Sequence, residues 1–156
     1  MGVYDAPVGH HHDATGELAP VPWGPAADVP IVMAPAGAVH MSILDLATWA
    51  AWNAGGGRRS PPLVSEETLG RLQTAHVAGD PPAPTGYGLG WGVTTFDWTA
   101  HPVLHHAGSN DLNYAFILVD PVNDLAIVVA TNFPIGNSRP AVEEIRRHLY
   151  LAYVAD

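Results

Sequence analysis

The spacing of apolar positions changes from a helical repeat in the middle of the chain to strand-like runs in its second half. Between Met41 and Ala54 apolar residues recur every three or four positions, which predicts an amphipathic helix. The predicted stripe consists of Ile43, Leu44, Ala47, Ala50 and Ala51. Ser42 with Asp45 three positions later has the pattern of an N-terminal cap, and Gly55 to Gly57 end the helix.

A second, shorter helix is predicted from Glu66 to about Thr74. Ser65 stands at its N-cap position, and the acidic pair Glu66 and Glu67 lies where the helix dipole favours negative charge. Its apolar face is narrow, so we expect it at the surface.

Four strands are predicted beyond the proline-rich turn at residues 80–84. They are Tyr87–Thr95, Val103–Gly108, Asn113–Val119 and Leu125–Thr131. The last two are apolar on both faces, which indicates a sheet covered on both sides. A terminal helix from Ser138 to about Tyr153 would be one cover, and a helical segment from outside this chain is the expected second one. The inward face of the terminal helix is predicted to be Val142, Ile145, Leu149 and Tyr153.

These elements predict an α+β fold within a single domain over residues 1–156. It would hold an antiparallel sheet of about four strands with flanking helices and a C-terminal helix. Residues 1–40 are rich in proline and glycine and predict an extended loop region with one short strand near Val29–Met33. Residues 41–79 form the helical region, and residues 85–156 form the sheet with the terminal helix.

Composition excludes several classes of function. The formal net charge of −9 disfavours nucleic acid as a partner, and the absence of cysteine excludes disulfides, thiolate metal sites and a cysteine nucleophile. No run of 18 apolar residues predicts a membrane span, and the first residues lack a signal-peptide pattern. The compartment stays open, because exported and cytoplasmic proteins both share this composition.

Several short motifs occur in a fixed order along the chain. The two most informative are Tyr87-Gly-Leu-Gly-Trp91 and His105-His-Ala-Gly-Ser-Asn110. The others are Trp23-Gly24, Ala34-Pro-Ala-Gly37, Gly55-Gly-Gly57, Asp120-Pro121 and Ala130-Thr-Asn132. As an ordered set they resemble the C-terminal part of serine hydrolases related to class C β-lactamases and penicillin-binding proteins.

The resemblance implies an active-site strand at His106, Ala107 and Gly108, which match the family's His-x-Gly triplet. His106 would hydrogen-bond the substrate carboxylate and the catalytic hydroxyl network. Gly108 would let the substrate approach the backbone, and the Ser109 N–H would be an oxyanion donor. His106 and Ser109 are the expected catalytic residues, and Ala107, Gly108 and Asn110 the expected substrate-binding ones. No metal or other cofactor is implied.

The chain departs from the family pattern at the nucleophile. The family carries a Ser-x-x-Lys motif, yet all six basic residues here are arginines, and no Tyr-x-Asn motif occurs either. The expectation is a C-terminal portion that completes a site for ester, amide or β-lactam acyl transfer without supplying the nucleophile, and that is inactive alone. Its expected partners are the missing N-terminal catalytic segment or a second copy of itself, and a small acyl substrate in the intact enzyme.

Other hypotheses remain open at this stage. The chain could be a non-catalytic binding or self-associating module, or a metal-binding protein using His10, His11 and His12. A local Ser-His-Asp triad around Ser109 is disfavoured, because successive strand side chains point to opposite faces. The tryptophans, including Trp49 and Trp91, are interpreted as core and rim packing rather than as a ligand box.

Overall fold

The computed structural model describes residues 7–22, 24, 27, 29–58, 61–79 and 85–154. The Trp23 landmark and the predicted turn at residues 80–84 lie outside the described residues. The strands are β1 (His10–His12), β2 (Leu18–Pro20), β3 (Val77–Ala78), β4 (Thr85–Tyr87), β5 (Gly92–Thr94), β6 (Val103–Ser109), β7 (Tyr114–Asp120) and β8 (Leu125–Thr131). The α-helices are α1 (Ala34–Gly37), α2 (Ile43–Ala54), α3 (Glu66–Gln73) and α4 (Ile135–Val154).

Within the described residues, β3 to β8 form one antiparallel sheet in which each strand pairs with the next along the chain. This confirms the predicted α+β class with an antiparallel sheet and a C-terminal helix. The predicted single strand Tyr87–Thr95 is instead two strands, β4 and β5. The chain reverses between them through Gly90, whose φ of +92° is a conformation that glycine adopts without strain.

The helix starts follow the predicted caps. The Ser42 hydroxyl accepts a hydrogen bond from the Asp45 N–H at 3.1 Å, and the Ser65 hydroxyl accepts one from the Thr68 N–H at 3.2 Å. Each bond satisfies a backbone donor that has no partner inside its helix. The predicted strand near Val29–Met33 is wrong, because residues Ile31–Met33 form a 3₁₀ turn that continues into α1.

Helix α4 covers one face of the sheet. A buried core lies beneath it, formed by Val103, Tyr114, Phe116, Leu118, Ile127, Val142 and Tyr150. The predicted inward face is correct at Val142 only, since Ile145, Leu149 and Tyr153 are exposed. Arg146 takes the inward position, with its guanidinium carbon 4.6 Å from the ring centre of Phe96 and 4.5 Å from that of Phe116.

Helix α2 covers the opposite face by packing against β7 and β8. The expectation that a segment outside this chain would supply this cover is therefore wrong. Small side chains make the close approach possible, because Ala50 and Ala54 pack directly on Trp91, Leu104 and Val119. Only the second half of α2 is buried in this way: Ile43 is 48% exposed and Leu44 is 75% exposed.

A fully buried carboxylate joins α4 to the end of β7. Asp120 accepts hydrogen bonds from the Tyr150 hydroxyl at 2.8 Å, the His101 ring at 2.8 Å and the Asn123 amide at 2.6 Å. Burial alone would raise the pKa of Asp120, but these hydrogen bonds outweigh it and hold that pKa below its usual value. Burial, together with the bond to Asp120, raises the pKa of Tyr150 to about 12.

The β1–β2 hairpin packs against the far end of the sheet. The His10 ring stacks on Phe133 with 4.8 Å between ring centres, and its Nδ1 lies 2.9 Å from the Asn132 carbonyl oxygen. His10 N–H also donates to the Leu112 carbonyl in the turn between β6 and β7. The N-terminal region is thus anchored by the turn that follows β6. None of the described helices is both long and apolar enough to cross a membrane.

Candidate active site

The two halves of β6 lie in different surroundings. From Val103 to His105 the strand pairs with β5 on one side, and from Leu104 onward it pairs with β7 on the other. The β5 ladder ends at the pair Gly92–His105, so among the described residues the stretch from His106 to Ser109 pairs with β7 alone. The edge of β6 that faces β5 is therefore open over those four residues, and we call it the open edge.

His106 lies at the start of the open edge and is exposed. Its Nδ1 is 3.5 Å from the Tyr87 hydroxyl, a long contact at the limit of a hydrogen bond. Tyr87 itself is 47% exposed, so both polar groups are accessible to a ligand. In the sequence Tyr87 is part of a family motif, and no sequence pattern pairs it with His106.

Gly108 and Ala107 follow on the same edge. Strand alternation places Gly108 on the face of His106 and Ala107 on the opposite face. A methyl group placed on Gly108 would meet no heavy atom of the described residues within 4 Å beyond its chain neighbours. The space above Gly108 is open, which is the property that the substrate-binding expectation requires.

The side chains of Ser109 and Asn110 stabilise the turn after β6. The Ser109 hydroxyl donates to the Asn113 carbonyl at 2.9 Å and accepts from the Asp111 N–H at 3.1 Å. The Asn110 side-chain oxygen accepts from the N–H groups of Leu112 and Asn113 at 3.1 and 2.9 Å. The Ser109 hydroxyl is therefore engaged within its own turn.

His105 lies behind the open edge and differs from its neighbour His106. Its ring stacks against Phe116 with 6.0 Å between ring centres, and its Nε2 is 3.1 Å from the Thr94 hydroxyl. A Cβ on Gly92 would come within 2.5 Å of this ring, so the glycine provides the space for it. Burial, with smaller contributions from Arg146 and His106, lowers the pKa of His105 and favours its neutral form.

The other candidate constellations do not assemble. The Ser109 hydroxyl bonds backbone groups of its own turn, and no hydrogen bond between it and a histidine ring is seen in the part of the chain that the structure describes. His12 is occupied by the Gly16 carbonyl at 2.8 Å and the Asn137 side chain at 2.9 Å. Among the residues that the structure describes, no three or more His, Cys, Asp or Glu side chains are grouped so as to hold a metal ion.

Comparison with known proteins shows the family of this chain. A family model described as Beta-lactamase matches residues 1–152. The chain belongs to the beta-lactamase family. No curated protein matches it.

A solved structure titled as the octameric penicillin-binding protein homologue from Pyrococcus abyssi is similar to the chain, with a TM-score of 0.60 at 22% sequence identity. The match covers 81% of this chain and 27% of that one, so the chain spans about a quarter of its structural neighbour. At this identity the likeness supports the fold alone. The fold and the family agree with the resemblance read from the ordered motifs.

Proposed function

We propose that this chain is the C-terminal portion of a serine hydrolase of the beta-lactamase family, acting in acyl transfer from an ester, amide or β-lactam. It supplies the His-x-Gly strand and an oxyanion donor, and another segment supplies the nucleophile. The open edge of β6 carries this proposal. An unpaired strand edge with an accessible histidine and open space above a glycine can accept an acyl substrate alongside its backbone.

The roles follow from the positions on this edge. When a serine outside this chain attacks the carbonyl carbon, the carbonyl oxygen becomes an oxyanion, and the Ser109 N–H would donate to it. One such donor contributes roughly 3 kcal/mol to lowering the barrier. His106 would hydrogen-bond the substrate carboxylate, with Tyr87 beside it at 3.5 Å. The serine's proton would pass to a base on the same outside segment, since this chain contains no lysine. That base would return the proton to the leaving alcohol or amine as its C–O or C–N bond to the carbonyl carbon breaks.

A second observation supports an outside segment. The stretch from Ile31 to Leu44, which we call the apolar segment, exposes several large hydrophobic side chains. They are Ile31, Val32, Met33, Val39, Met41, Ile43 and Leu44. Exposed apolar surface of this extent is typical of an interaction site. The apolar segment leads into the half of α2 that the sheet does not cover.

The first test is the intact mass of the purified chain after incubation with a fluorophosphonate and, separately, with a penicillin. We expect no adduct with either reagent, because the Ser109 hydroxyl bonds backbone groups of its own turn and not a base. A stoichiometric adduct would show that the chain carries its own activated serine and would overturn the division of roles.

The second test is an NMR titration of the ¹⁵N-labelled chain with N-acetylalanine, which carries an acyl amide and a carboxylate. We expect the amide signals of Gly108 and Ser109 to shift, and His106→Ala to weaken binding roughly tenfold by removing a charge-assisted hydrogen bond. His148→Ala is the matched control, because this histidine is exposed on α4. Unmoved Ser109 signals would contradict the proposed role.

Self-association is the second candidate, and the same apolar segment favours it. The structural neighbour is titled as octameric, and a second copy of this chain could cover the segment instead of a nucleophile-bearing one. Sedimentation of the unsubstituted chain and of the Leu44→Glu variant distinguishes self-association from the acyl-transfer proposal. A dimer or larger species that the substitution dissociates would support self-association, and a monomer in both cases would support the acyl-transfer proposal.

A further inference from the structure

The turn that joins β6 to β7, residues 110–113, which we call the β6–β7 turn, contains a backbone conformation that needs support. Asp111 has a φ of +62°, in the left-handed region that few residues other than glycine adopt. Such a conformation persists only where surrounding contacts fix it. Asn110 supplies part of that support from inside the turn, because its side-chain oxygen accepts from the N–H groups of Leu112 and Asn113.

The residues just before and at the start of β1 support the same turn from outside. The His10 N–H donates to the Leu112 carbonyl at 3.0 Å. A Cβ on Gly9 would lie 2.8 Å from the Leu112 Cβ and 3.0 Å from the Leu112 carbonyl oxygen. Distances this short leave no room for a side chain, so only glycine allows the two backbones to approach so closely. The backbone at Gly9 therefore lies directly against the β6–β7 turn.

The support is itself fixed on its other side. The Asn132 side-chain amide donates to the Val8 carbonyl at 3.0 Å, and the His10 ring stacks on Phe133. Asn132 and Phe133 directly follow β8, so these contacts tie the hairpin to the end of that strand. Gly9 is thus held between the end of β8 and the β6–β7 turn.

Ser109 connects the turn to the open edge. It is the last residue of β6 and pairs with Tyr114, the first residue of β7. Strand ends open more readily than strand centres, so the direction of the Ser109 backbone depends on the turn that follows it. The Ser109 hydroxyl bonds the Asn113 carbonyl and the Asp111 N–H, and a displacement of the turn would reach Ser109 through these bonds.

We propose that Gly9 is a positioning residue for the oxyanion donor. Its close approach to Leu112 holds the β6–β7 turn in place, and the turn in turn aims the Ser109 N–H at the acyl oxygen. An oxyanion donor stabilises the transition state only when its N–H is already directed at the oxygen. This inference rests on the proposed function and adds to it a residue that acts through the turn, without contacting the substrate.

The first part of the test needs no ligand. Gly9→Ala adds a methyl group that must displace Leu112, so we expect the backbone amide signals of residues 109–113 to change in chemical shift. Gly70→Ala is the matched control, because its methyl group meets nothing among the described residues within 4 Å and should leave these signals unchanged. Unchanged signals in Gly9→Ala would overturn the proposed support.

The second part uses N-acetylalanine and two reporters, the Ser109 amide for the acyl oxygen and the His106 ring for the carboxylate. In the unsubstituted chain we expect both to shift. In Gly9→Ala we expect the His106 response to remain and the Ser109 response to be lost. The affinity should fall about fivefold, as is typical for the loss of one neutral hydrogen bond.

The split between the two reporters distinguishes positioning from a general loss of structure. If Gly9→Ala retained both responses, or lost both to the same degree, the positioning role would be overturned. His10→Ala, which removes the ring stack on Phe133 without adding a methyl group beside the turn, provides a second variant should Gly9→Ala fail to fold, and the same split is expected. A failure of the proposed function is seen separately, as an unmoved Ser109 signal in the unsubstituted chain.

Discussion

The two faces of the sheet differ in how completely their covering helices bury them. On the α4 face, aromatic and aliphatic side chains from three strands and the helix form a core, and a buried carboxylate ties the helix to the sheet. On the α2 face, only the C-terminal half of the helix is buried, and the apolar segment that precedes this half is exposed. The open edge begins where β5 ends beside Trp91, which is buried on the α2 face. The incomplete side of the molecule is therefore the side proposed to do chemistry, and the complete side supports it.

The substitution expected to destabilise the α4 face most is Asp120→Ala. The substitution removes the acceptor for His101, Asn123 and the Tyr150 hydroxyl, and leaves that hydroxyl unpaired at a buried position. We expect a loss of about 3 kcal/mol in the free energy of unfolding, measured by urea denaturation. Asp97→Ala, at an exposed position, is the control and should change it by less than about 0.5 kcal/mol. Equal effects of the two would contradict the role of the network.

A pair of apolar truncations compares the two faces directly. Val142→Ala removes methyl groups from the buried α4 core and should cost about 2 kcal/mol in the isolated chain. Ile43→Ala removes a larger volume, but from the half-exposed start of α2, and should cost only about 0.5 kcal/mol. Thermal unfolding of both variants measures the difference. A large cost at Ile43 would show that the apolar segment is already buried, for example by a second copy.

Gly92→Ala tests the end of the β5 ladder. The added methyl would collide with the His105 ring, which is packed by Phe116, so we expect destabilisation by about 1.5 kcal/mol. Gly70→Ala in α3 is the control, for which we expect an increase in stability instead of a decrease. Its methyl meets nothing among the described residues within 4 Å, and alanine should stabilise that helix by about 0.5–1 kcal/mol. If both variants were stabilised, the close packing of His105 on Gly92 would be disproved.

The smallest effect is a pH dependence on the α4 face. The pKa of His105 is lowered from 6.5, so its neutral form stabilises the fold above that pH, and this contribution is lost as the pH falls through the folded-state value. We expect stability to decline as the pH falls below about 6.5, and His105→Phe to flatten the decline. Unfolding midpoints at several pH values provide the measurement. If the decline is unchanged in His105→Phe, the group that titrates is not His105.

The sequence predicted the helix starts well, because there a side chain hydrogen-bonds to the backbone of the helix that it begins. Ser42 and Ser65 mark the starts of α2 and α3 because their hydroxyls cap those helices. The end of β4 was missed, although Gly88 and Gly90 stood in the sequence, because the apolar pattern continues across them to Trp91. Counting apolar residues also misplaced the inner face of α4. Arg146 lies inward there, and its cation contacts aromatic rings from other elements that periodicity cannot see.

The sequence predicted the strand that carries the candidate residues, but it did not predict the open edge on which they lie. The ordered motifs pointed to His106, Gly108 and Ser109, and the structure places them on one accessible edge. What creates that edge is the early end of β5, a property of pairing between distant segments. The contact between Tyr87 and His106 depends on the same pairing, across three strands. The missing lysine was the most direct signal, because the resemblance implies a Ser-x-x-Lys motif that this sequence does not contain.

The strand order also has a consequence for how the chain folds. Every strand of the main sheet pairs with its neighbour in sequence, so its contacts close short loops and the contact order of this part is low. Such a sheet can nucleate as a series of hairpins before any distant segment arrives. A nucleophile-bearing segment would then bind to a surface that already exists, and assembly of the active site would be a docking step rather than a condition for folding.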